Sequence, residues 1–264
     1  MSAHDIDYKI IGDDMQCVEI ELDPQETVIA EAGSLMMKSS EIQMQTIFGD
    51  GTGQEDGIFG KLFSAGKRLL TGESLFLTAY THQGNGKKHV TFAAPFPGKI
   101  VPFDLTVYQG KIICQKQAFL CAAKGVAVGI EFQKKLGTGF FGGEGFIMQK
   151  LEGDGLAFIH AGGTIIERTL QSGEKLHVDT GCLVALTKDV NYDIEFIGGV
   201  RNTLFGGEGV FFASLTGPGK VWIQSLPFSR LADKIISSAP KMGGKRVGEG
   251  SILGGLGDLI DGDN

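Results

Sequence analysis

The sequence repeats a strand–turn–strand unit three times, and this repetition restricts the folds open to the chain more than any other feature. The unit occupies residues 25–35, 110–120 and 173–183. Apolar side chains fall in register between the copies, as Val28, Ile113 and Leu176 do. One copy cannot cover its own apolar face, so its neighbours must cover it. We therefore expect the three copies to form one cooperative body.

A glycine-rich hairpin follows each unit. It reads Leu-Thr-Gly-Glu-Ser-Leu-Phe at 70–76 and Phe-Gly-Gly-Glu-Gly at 141–145 and 205–209. Each hairpin leads through a strand to a Gly-x-Gly turn, at 84–86, 153–155 and 217–219. These landmarks predict copies near 16–105, 106–169 and 170–228, the first with an insertion at about 48–70.

Short alternating runs indicate the type of secondary structure. Residues 17–22 carry apolar side chains at the even positions, and residues 191–197 alternate in the same way. Gly, Asp, Asn and Pro separate such runs about every ten residues, which is typical of an all-β sandwich or barrel-like body. Glycine makes up 41 of the 264 residues, as expected for a chain with many tight turns and sharp sheet corners.

Two segments depart from the β pattern. Apolar residues recur at helical spacing in 57–70, and 226–236 predicts a short helix that Pro227 opens and that ends before Pro240. We predict a single all-β body over 1–236 that ends in this short helix. A glycine-rich tail follows at 237–264.

Charge and targeting signals narrow the partners and the compartment. The net charge is −7, which argues against general nucleic-acid binding, because that needs a basic surface. The first residues lack the pattern of a secretory or transit peptide, and no window approaches 18 uninterrupted apolar residues. The scattered cysteines, Cys17, Cys114, Cys121 and Cys182, suggest buried thiols in a reducing cytoplasm.

Taken in order, several segments resemble one known family. They are residues 5–34, residues 57–76, the two Phe-Gly-Gly-Glu-Gly copies and the Leu-Pro-Phe-Ser-Arg-Leu-Ala-Asp stretch at 226–233. The family is that of the Altered Inheritance of Mitochondria protein twenty-four, a mitochondrial biogenesis type, and the resemblance covers about 5–236.

The resemblance implies a fold like that of the tryptophan RNA-binding attenuation protein, a short double-stranded β-helix. Three such subdomains would intertwine in one chain, and three chains would form a ring. Mitochondrial members are associated with the inner membrane, and the resemblance implies no established catalytic activity or cofactor. The chain resembles a bacterial, cytoplasmic member that lies at most peripheral to the inner membrane.

Three glutamates share one place in the hairpins: Glu73, Glu144 and Glu208. In a body with pseudo-threefold symmetry they would converge, and a ring of carboxylates binds cations or other ligands. In the alternative interpretation, each carboxylate caps backbone amides in its own turn or pairs with a basic side chain.

The segment 57–70 is the candidate contact surface. It interrupts only the first copy, so the shared fold does not require it. Apolar and basic side chains lie together in it: Ile58, Phe59, Lys61, Leu62, Phe63, Lys67 and Arg68. Such a mixture suits an anionic bilayer surface or an acidic groove of a partner protein. In the alternative interpretation, this short helix plugs one end of the body.

No pattern in the sequence predicts catalysis. A metal site on a β-barrel needs neighbouring histidines, and His82, His89, His160 and His177 are scattered, so we expect them to lie at the surface or to be hydrogen-bonded. The GxGxxG match at 137–142 precedes a predicted strand instead of a helix, which argues against a dinucleotide cofactor.

These observations predict a non-catalytic, β-rich homo-oligomer without metal or cofactor, most directly a trimer. It would act as a scaffold or as a membrane-associated interaction protein. A small-molecule binding module, with its ligand between repeats or subunits, is the alternative hypothesis.

Overall fold

The computed structural model describes residues 2–48, 76–134, 145–197 and 210–239. Within these ranges the chain forms nineteen strands and one α-helix. The strands are β1 (Asp7–Ile11), β2 (Cys17–Leu22), β3 (Thr27–Glu31), β4 (Leu35–Lys38), β5 (Ile42–Phe48), β6 (Phe76–His82), β7 (Lys88–Ala93), β8 (Gly98–Asp104), β9 (Lys111–Gln115), β10 (Phe119–Ala123), β11 (Ala127–Lys134), β12 (Phe146–Glu152), β13 (Leu156–Gly162), β14 (Ile165–Leu170), β15 (Lys175–Asp179), β16 (Leu183–Thr187), β17 (Asn191–Ile197), β18 (Val210–Thr216) and β19 (Gly219–Gln224). The helix is α1 (Phe228–Ser238), and the predicted all-β class is confirmed.

Local patterns predicted several of these elements. In β2 the even-numbered side chains Val18, Ile20 and Leu22 are buried, and the intervening ones are half-buried, as the alternation indicates. The predicted C-terminal helix is present and begins at Phe228, directly after Pro227. The second predicted helix, at 57–70, and nearly all of the glycine-rich tail lie outside the described residues.

The strands form four sheets, whose strand pairs are all antiparallel. Sheet A has the order β1-β2-β7-β4, and sheet D has the order β15-β18-β17. Sheet B has the order β5-β6-β3-β10-β13-β8, and sheet C has the order β11-β12-β9-β16-β19-β14.

One scheme of pairing recurs in three successive groups of strands, which are β3–β8, β9–β14 and β15–β19. In each group the fourth strand pairs with the first and the third, and the fifth pairs with the second. Two further pairs join neighbouring groups. The first strand of a group pairs with the second strand of the next group, and the sixth strand of a group pairs with the fifth strand of the next group. Sheets B and C are therefore each shared by two groups. The copy boundaries given above stay a prediction.

Three apolar cores separate the sheets. The A/B core contains Tyr80 and Phe92, whose rings meet edge to face with centroids 5.1 Å apart. The B/C core contains Phe103 and Trp222, and the C/D core contains Phe146 among aliphatic side chains. Burial of these apolar side chains stabilises the stack of sheets, at about 25 cal/mol for each Å² removed from water.

The second strand of each group carries a β-bulge. The register shifts between Leu35 and Met37 in β4, between Phe119 and Cys121 in β10, and between Leu183 and Ala185 in β16. A bulge sets two successive side chains on one face of the strand. In β10, Leu120 and Cys121 both belong to the A/B core, and in β16, Val184 and Ala185 both belong to the B/C core.

Candidate assembly interface

Strands β4 and β15 are the two exceptions to the pairing scheme. Each ends its sheet, and within the described ranges no strand lies along its outer edge. The corresponding first strands β3 and β9, and the corresponding second strands β10 and β16, have neighbours on both sides. Sheets A and D therefore lack one pair that sheets B and C contain: the first strand of a group with the second strand of the next.

The open strand β4 exposes two methionines at its bulge. Met36 is 60% exposed and Met37 is 51% exposed. The corresponding side chains in β10 and β16 are all buried: Leu120, Cys121, Val184 and Ala185. The same strand position is thus core in two groups and surface in the first.

The open strand β15 shows the same contrast. Lys175 and His177 are exposed, and Leu176 is only half-buried, so Val178 is the one buried side chain of this strand. In the corresponding strand β3, the first four side chains are all buried. Both open strands therefore face solvent where their counterparts face a core.

The surroundings of β15 fix its end in place. Asp179 accepts a hydrogen bond from the Gly181 N–H over 2.8 Å, and its other carboxylate oxygen accepts one from Arg230 of α1 over 3.1 Å. This ion pair connects α1 to the end of the open strand.

A groove borders the open strand β4. It is lined by Met37, Lys38, Ser39, His89 and Thr91. The hydroxyl of Thr91 is buried and has no hydrogen-bond partner among the described residues. A buried hydroxyl without a partner costs the fold about 1–3 kcal/mol.

The candidate site residues that the sequence predicted lie in segments that the structure does not describe. Glu73, Glu144 and Glu208 lie outside the described residues. So does the candidate contact segment with Ile58, Phe59, Lys61, Leu62, Phe63, Lys67 and Arg68. Both hypotheses stay predictions.

Three of the four histidines agree with the expectation of surface or hydrogen-bonded side chains. His82 is buried, and its Nδ1 accepts a hydrogen bond from the Gly84 N–H over 3.1 Å. Its Nε2 therefore carries the proton and donates to the Gly86 carbonyl over 2.7 Å. The rings of His89 and His177 are about half exposed, beside glutamates.

His160 departs from this pattern. This side chain is only 2% exposed, and neither ring nitrogen has a partner at good hydrogen-bond geometry among the described residues, although the Phe96 backbone interacts with the ring and offsets part of its pKa shift. Its ring lies edge-on to Phe96, with the centroids 4.4 Å apart. Burial lowers the pKa of His160 to about 4, because the cationic ring would lose its hydration.

Burial shifts the pKa of two other titratable groups, Glu31 and Cys114. Burial raises the pKa of Glu31 to about 7, and the charge of Lys116 offsets part of that rise. Burial, with Glu31 nearby, raises the pKa of the Cys114 thiol to about 12, so that this thiol stays protonated and unreactive. In the part of the chain that the structure describes, no group of three His, Cys, Asp or Glu side chains is arranged to hold a metal ion.

The comparisons with known proteins identify the family. The sequence model of the family described as mitochondrial biogenesis AIM24 matches residues 8–226. The chain belongs to this family. The resemblance stated from the motifs is thereby confirmed.

Two proteins similar to this AIM24 chain come from one bacterial species. An uncharacterised protein of Streptococcus pyogenes serotype M6 is 32% identical over 219 residues, which cover 81% of this chain and 83% of the relative. The crystal structure of a Streptococcus pyogenes protein is similar with a TM-score of 0.68 and 24% identity, over 89% of this chain and 100% of that one. This second likeness shows the fold. None of the helices in the described ranges is long and apolar enough to cross a membrane.

The open strands form the candidate interface that sequence reasoning missed. The signal available was the adjacent pair Met36 and Met37, two apolar residues in succession where a strand with one solvated face alternates. That signal is ambiguous, because the corresponding pairs in β10 and β16 are equally apolar and are buried.

Proposed function

We propose that this AIM24 chain is a non-catalytic scaffold that acts as a homo-oligomer, most directly a trimer. One observation carries the proposal: the open strands β4 and β15 expose side chains whose counterparts in the other groups are buried core. Exposed apolar side chains beside an unpaired sheet edge favour association with another chain.

The chemistry of the interior supports a role without catalysis. The buried thiol of Cys114 is protonated at neutral pH, and the ring of His82 is committed to two backbone hydrogen bonds. A general base or nucleophile must instead be accessible to a substrate and have a pKa suited to proton transfer.

The second part of the proposal is a peripheral contact with a membrane from the cytoplasmic side. It rests on the sequence of 57–70, where Phe59 and Phe63 accompany Lys61, Lys67 and Arg68. An apolar face with basic residues beside it binds anionic lipid by burial and by charge. A trimer would present three such segments, which raises the avidity for a surface.

Light scattering across a wide range of protein concentration tests the oligomer. We expect a mass three times that of one chain, and the mass of a single chain at every concentration would overturn the proposal. Sedimentation with anionic vesicles tests the membrane contact separately. The double variant Phe59→Ser/Phe63→Ser should keep its fold and its mass but no longer sediment.

A matched control for the vesicle experiment replaces two exposed apolar side chains elsewhere. Val107 is 69% exposed and Ile166 is 49% exposed, so Val107→Ser/Ile166→Ser should sediment as the wild type does. Unfolding of the Phe59/Phe63 variant would assign that segment to the core and remove the membrane contact from the proposal.

The groove beside β4 favours a second candidate function, the binding of a small molecule between chains. Lys38 and His89 line this groove, and Lys38 offers a positive charge to an occupant. Native mass spectrometry of protein purified from its own cells tests this candidate. A retained molecule that Lys38→Ala releases would support it, and masses that fit protein alone would count against it.

A further inference from the structure

We propose that β15 of one chain pairs antiparallel with β4 of the next chain, so that sheets D and A are two halves of one sheet. This inference rests on the proposed oligomeric function and names its interface. The partner is a second copy of this chain, and the contact is head to tail.

The order of strands supports this pairing. Joining β15 to β4 gives the order β17-β18-β15-β4-β7-β2, with β1 beyond it. The first three strands of this order are the third, fourth and first strands of one group, and the next two are the second and fifth strands of another group. Sheets B and C have the same order of positions. Strand β2 takes the place of the sixth strand, because it pairs with β7 as β8 pairs with β13. One added pair thus turns two incomplete sheets into a third sheet of the same kind.

The first and third groups can be aligned residue by residue. Gln25 and Gly173 precede their first strands and share a left-handed backbone, with φ of 74° and 76°. The bulges begin at Leu35 and Leu183. The same number of residues separates Gln25 from Gly173 and Leu35 from Leu183, so Met37 corresponds to Ala185.

The pairs inside sheets B and C then fix the register between chains. Ala30 lies opposite Cys121 in sheet B, and Cys114 lies opposite Ala185 in sheet C. Counted from the start of each strand, the residue of β15 that corresponds to Ala30 and Cys114 is Val178. Val178 of one chain therefore lies opposite Met37 of the next.

The side-chain faces agree with this register. Val178 belongs to the C/D core. The bulge residues of β10, in sheet B, face the A/B core, and the bulge residues of β16, in sheet C, face the B/C core. In both sheets the bulge therefore faces the previous sheet of the stack. Met36 and Met37 occupy the same positions in β4. In the joined sheet they would therefore face the C/D core of the neighbouring chain. Their flexible thioether side chains suit such an irregular gap.

The pairing has a defined symmetry. Each chain contributes β15 to one contact and β4 to the other. Because these are different surfaces, the contact is heterologous. Repeated contacts close into a ring when the rotation between chains permits it, and a ring leaves neither edge unpaired.

Disulfide formation tests the register. Directly opposite residues of an antiparallel pair have Cα atoms about 4.5–5.5 Å apart, which is within the range that a disulfide spans. We would place Met37→Cys and Val178→Cys in one chain, with the half-buried Cys17 replaced by Ser. Mild oxidation should give a ladder of covalent multimers on a denaturing gel, and reduction should abolish it.

Two controls make the result specific. The pair Met37→Cys/Lys175→Cys uses the same two strands but is three residues out of register, about 10 Å, and should not cross-link. Either cysteine alone should also give single chains, whereas the two single variants co-expressed should give covalent dimers. Cross-linking by Met37→Cys alone would mean that like edges meet and would overturn the head-to-tail pairing.

A charge at the interface gives an independent readout. Met37→Asp would bury a carboxylate in the joined core and should raise the concentration for half-dissociation roughly tenfold or more. Met44→Asp is the matched control: Met44 is 50% exposed on β5, and the third strand is the sheet edge in all three groups. It should leave the oligomer unchanged.

The outcomes separate this inference from the function on which it rests. A wild-type oligomer that neither cross-links at Met37 and Val178 nor responds to Met37→Asp overturns the pairing but leaves the oligomeric function standing. A wild-type monomer overturns both. If the double-cysteine variant fails to fold, the comparison of Met37→Asp with Met44→Asp decides.

Discussion

The indole ring of Trp222 stands edge-on to the ring of Phe103, with the centroids 4.8 Å apart and the planes at 87°. Phe103 belongs to β8 in the first group of strands, and Trp222 belongs to β19 in the third. The Trp222 N–H also donates a hydrogen bond to Glu167 over 3.1 Å. This one contact therefore links the first and last groups across the B/C core.

Phe103→Ala should lower the free energy of unfolding by about 3–5 kcal/mol, because it leaves a cavity beside Trp222 in a closely packed core. The chain has a single tryptophan, so its fluorescence reports this core directly. Urea unfolding followed by fluorescence measures the effect. Phe228→Ala, at a side chain 47% exposed on α1, is the control and should cost far less. Equal losses in the two variants would contradict the central role of the B/C core.

Gly98→Ala should also be strongly destabilising. A Cβ atom at residue 98 would lie 2.0 Å from the carbonyl oxygen of Ala161 on the paired strand, so the backbone of β8 or β13 must shift. We expect a loss of about 3 kcal/mol in thermal or urea unfolding.

Gly173→Ala is the comparison for this variant. No atom lies within 4 Å of a Cβ there, and only the φ of 76° opposes the substitution. That conformation costs a non-glycine residue about 1 kcal/mol. A Gly98 variant no less stable than the Gly173 variant would show that the two strands do not approach so closely.

Glu31→Gln should stabilise the protein at pH 8 and have little effect near pH 4.5. Burial raises the pKa of Glu31 from 4.5 to about 7, so the folded chain binds the proton more tightly than the unfolded chain. This group therefore costs the fold nothing below pH 4.5, and its cost grows as the pH rises to 7 and is complete above it. Glutamine occupies the corresponding position in β9, at Gln115, so the substitution fits the strand.

Urea unfolding at pH 5 and pH 8 measures this difference. Glu41→Gln is the control of opposite sign, because the hydrogen bond and ion pair with Lys88 (2.7 Å) help to lower the pKa of Glu41 to about 2. Its removal should slightly destabilise the protein at both pH values. A Glu31 variant no more stable than the wild type at pH 8 would mean that this carboxylate is solvated or paired.

His160→Leu should weaken the loss of unfolding free energy that the protein shows as the pH falls. The pKa of His160 falls from 6.5 to about 4 in the folded chain, so the unfolded chain binds more protons between these values. The wild type should therefore lose stability as the pH falls from 6.5 to 4, by roughly 3 kcal/mol from this group. The difference between variant and wild type at each pH isolates that contribution.

The control for His160 is His89→Leu, at a ring 46% exposed. It removes an exposed imidazole and so shows whether a change in the acid sensitivity requires loss of the buried ring. A loss of unfolding free energy that stays equally steep in His160→Leu would show that other groups cause the acid sensitivity.

Sequence patterns predicted local structure well where one face of an element is buried. The alternation in 17–22 became β2, and the apolar spacing after Pro227 became α1. The run at 99–108, which also alternates, is a strand only up to Asp104. There the Asp104 carboxylate accepts a hydrogen bond from the Thr106 N–H over 3.0 Å, and a 3-10 turn replaces the strand. Such a local side-chain bond competes with the sheet and is difficult to infer from hydropathy.

The candidate interface could not be predicted in the same way. The repeats show that three similar units exist, but they do not show which strands pair between units. Such pairs join residues far apart in the sequence, such as Ala30 and Cys121. Met36 and Met37 match core residues of the other groups in polarity. They are exposed because no other part of the described chain covers them.

The sharing of sheets between groups also affects how the protein can be made. Sheet B cannot close until β13 has left the ribosome, and sheet C must wait for β19, close to the end of the described chain. During synthesis the apolar strands β3 and β10 are therefore without their final neighbours for much of translation. Proteins with long-range strand pairing of this kind fold slowly, and their folding intermediates expose apolar surface and are prone to aggregate. Nascent chains stalled before β13 should accordingly depend on chaperones, although they already carry twelve of the nineteen described strands.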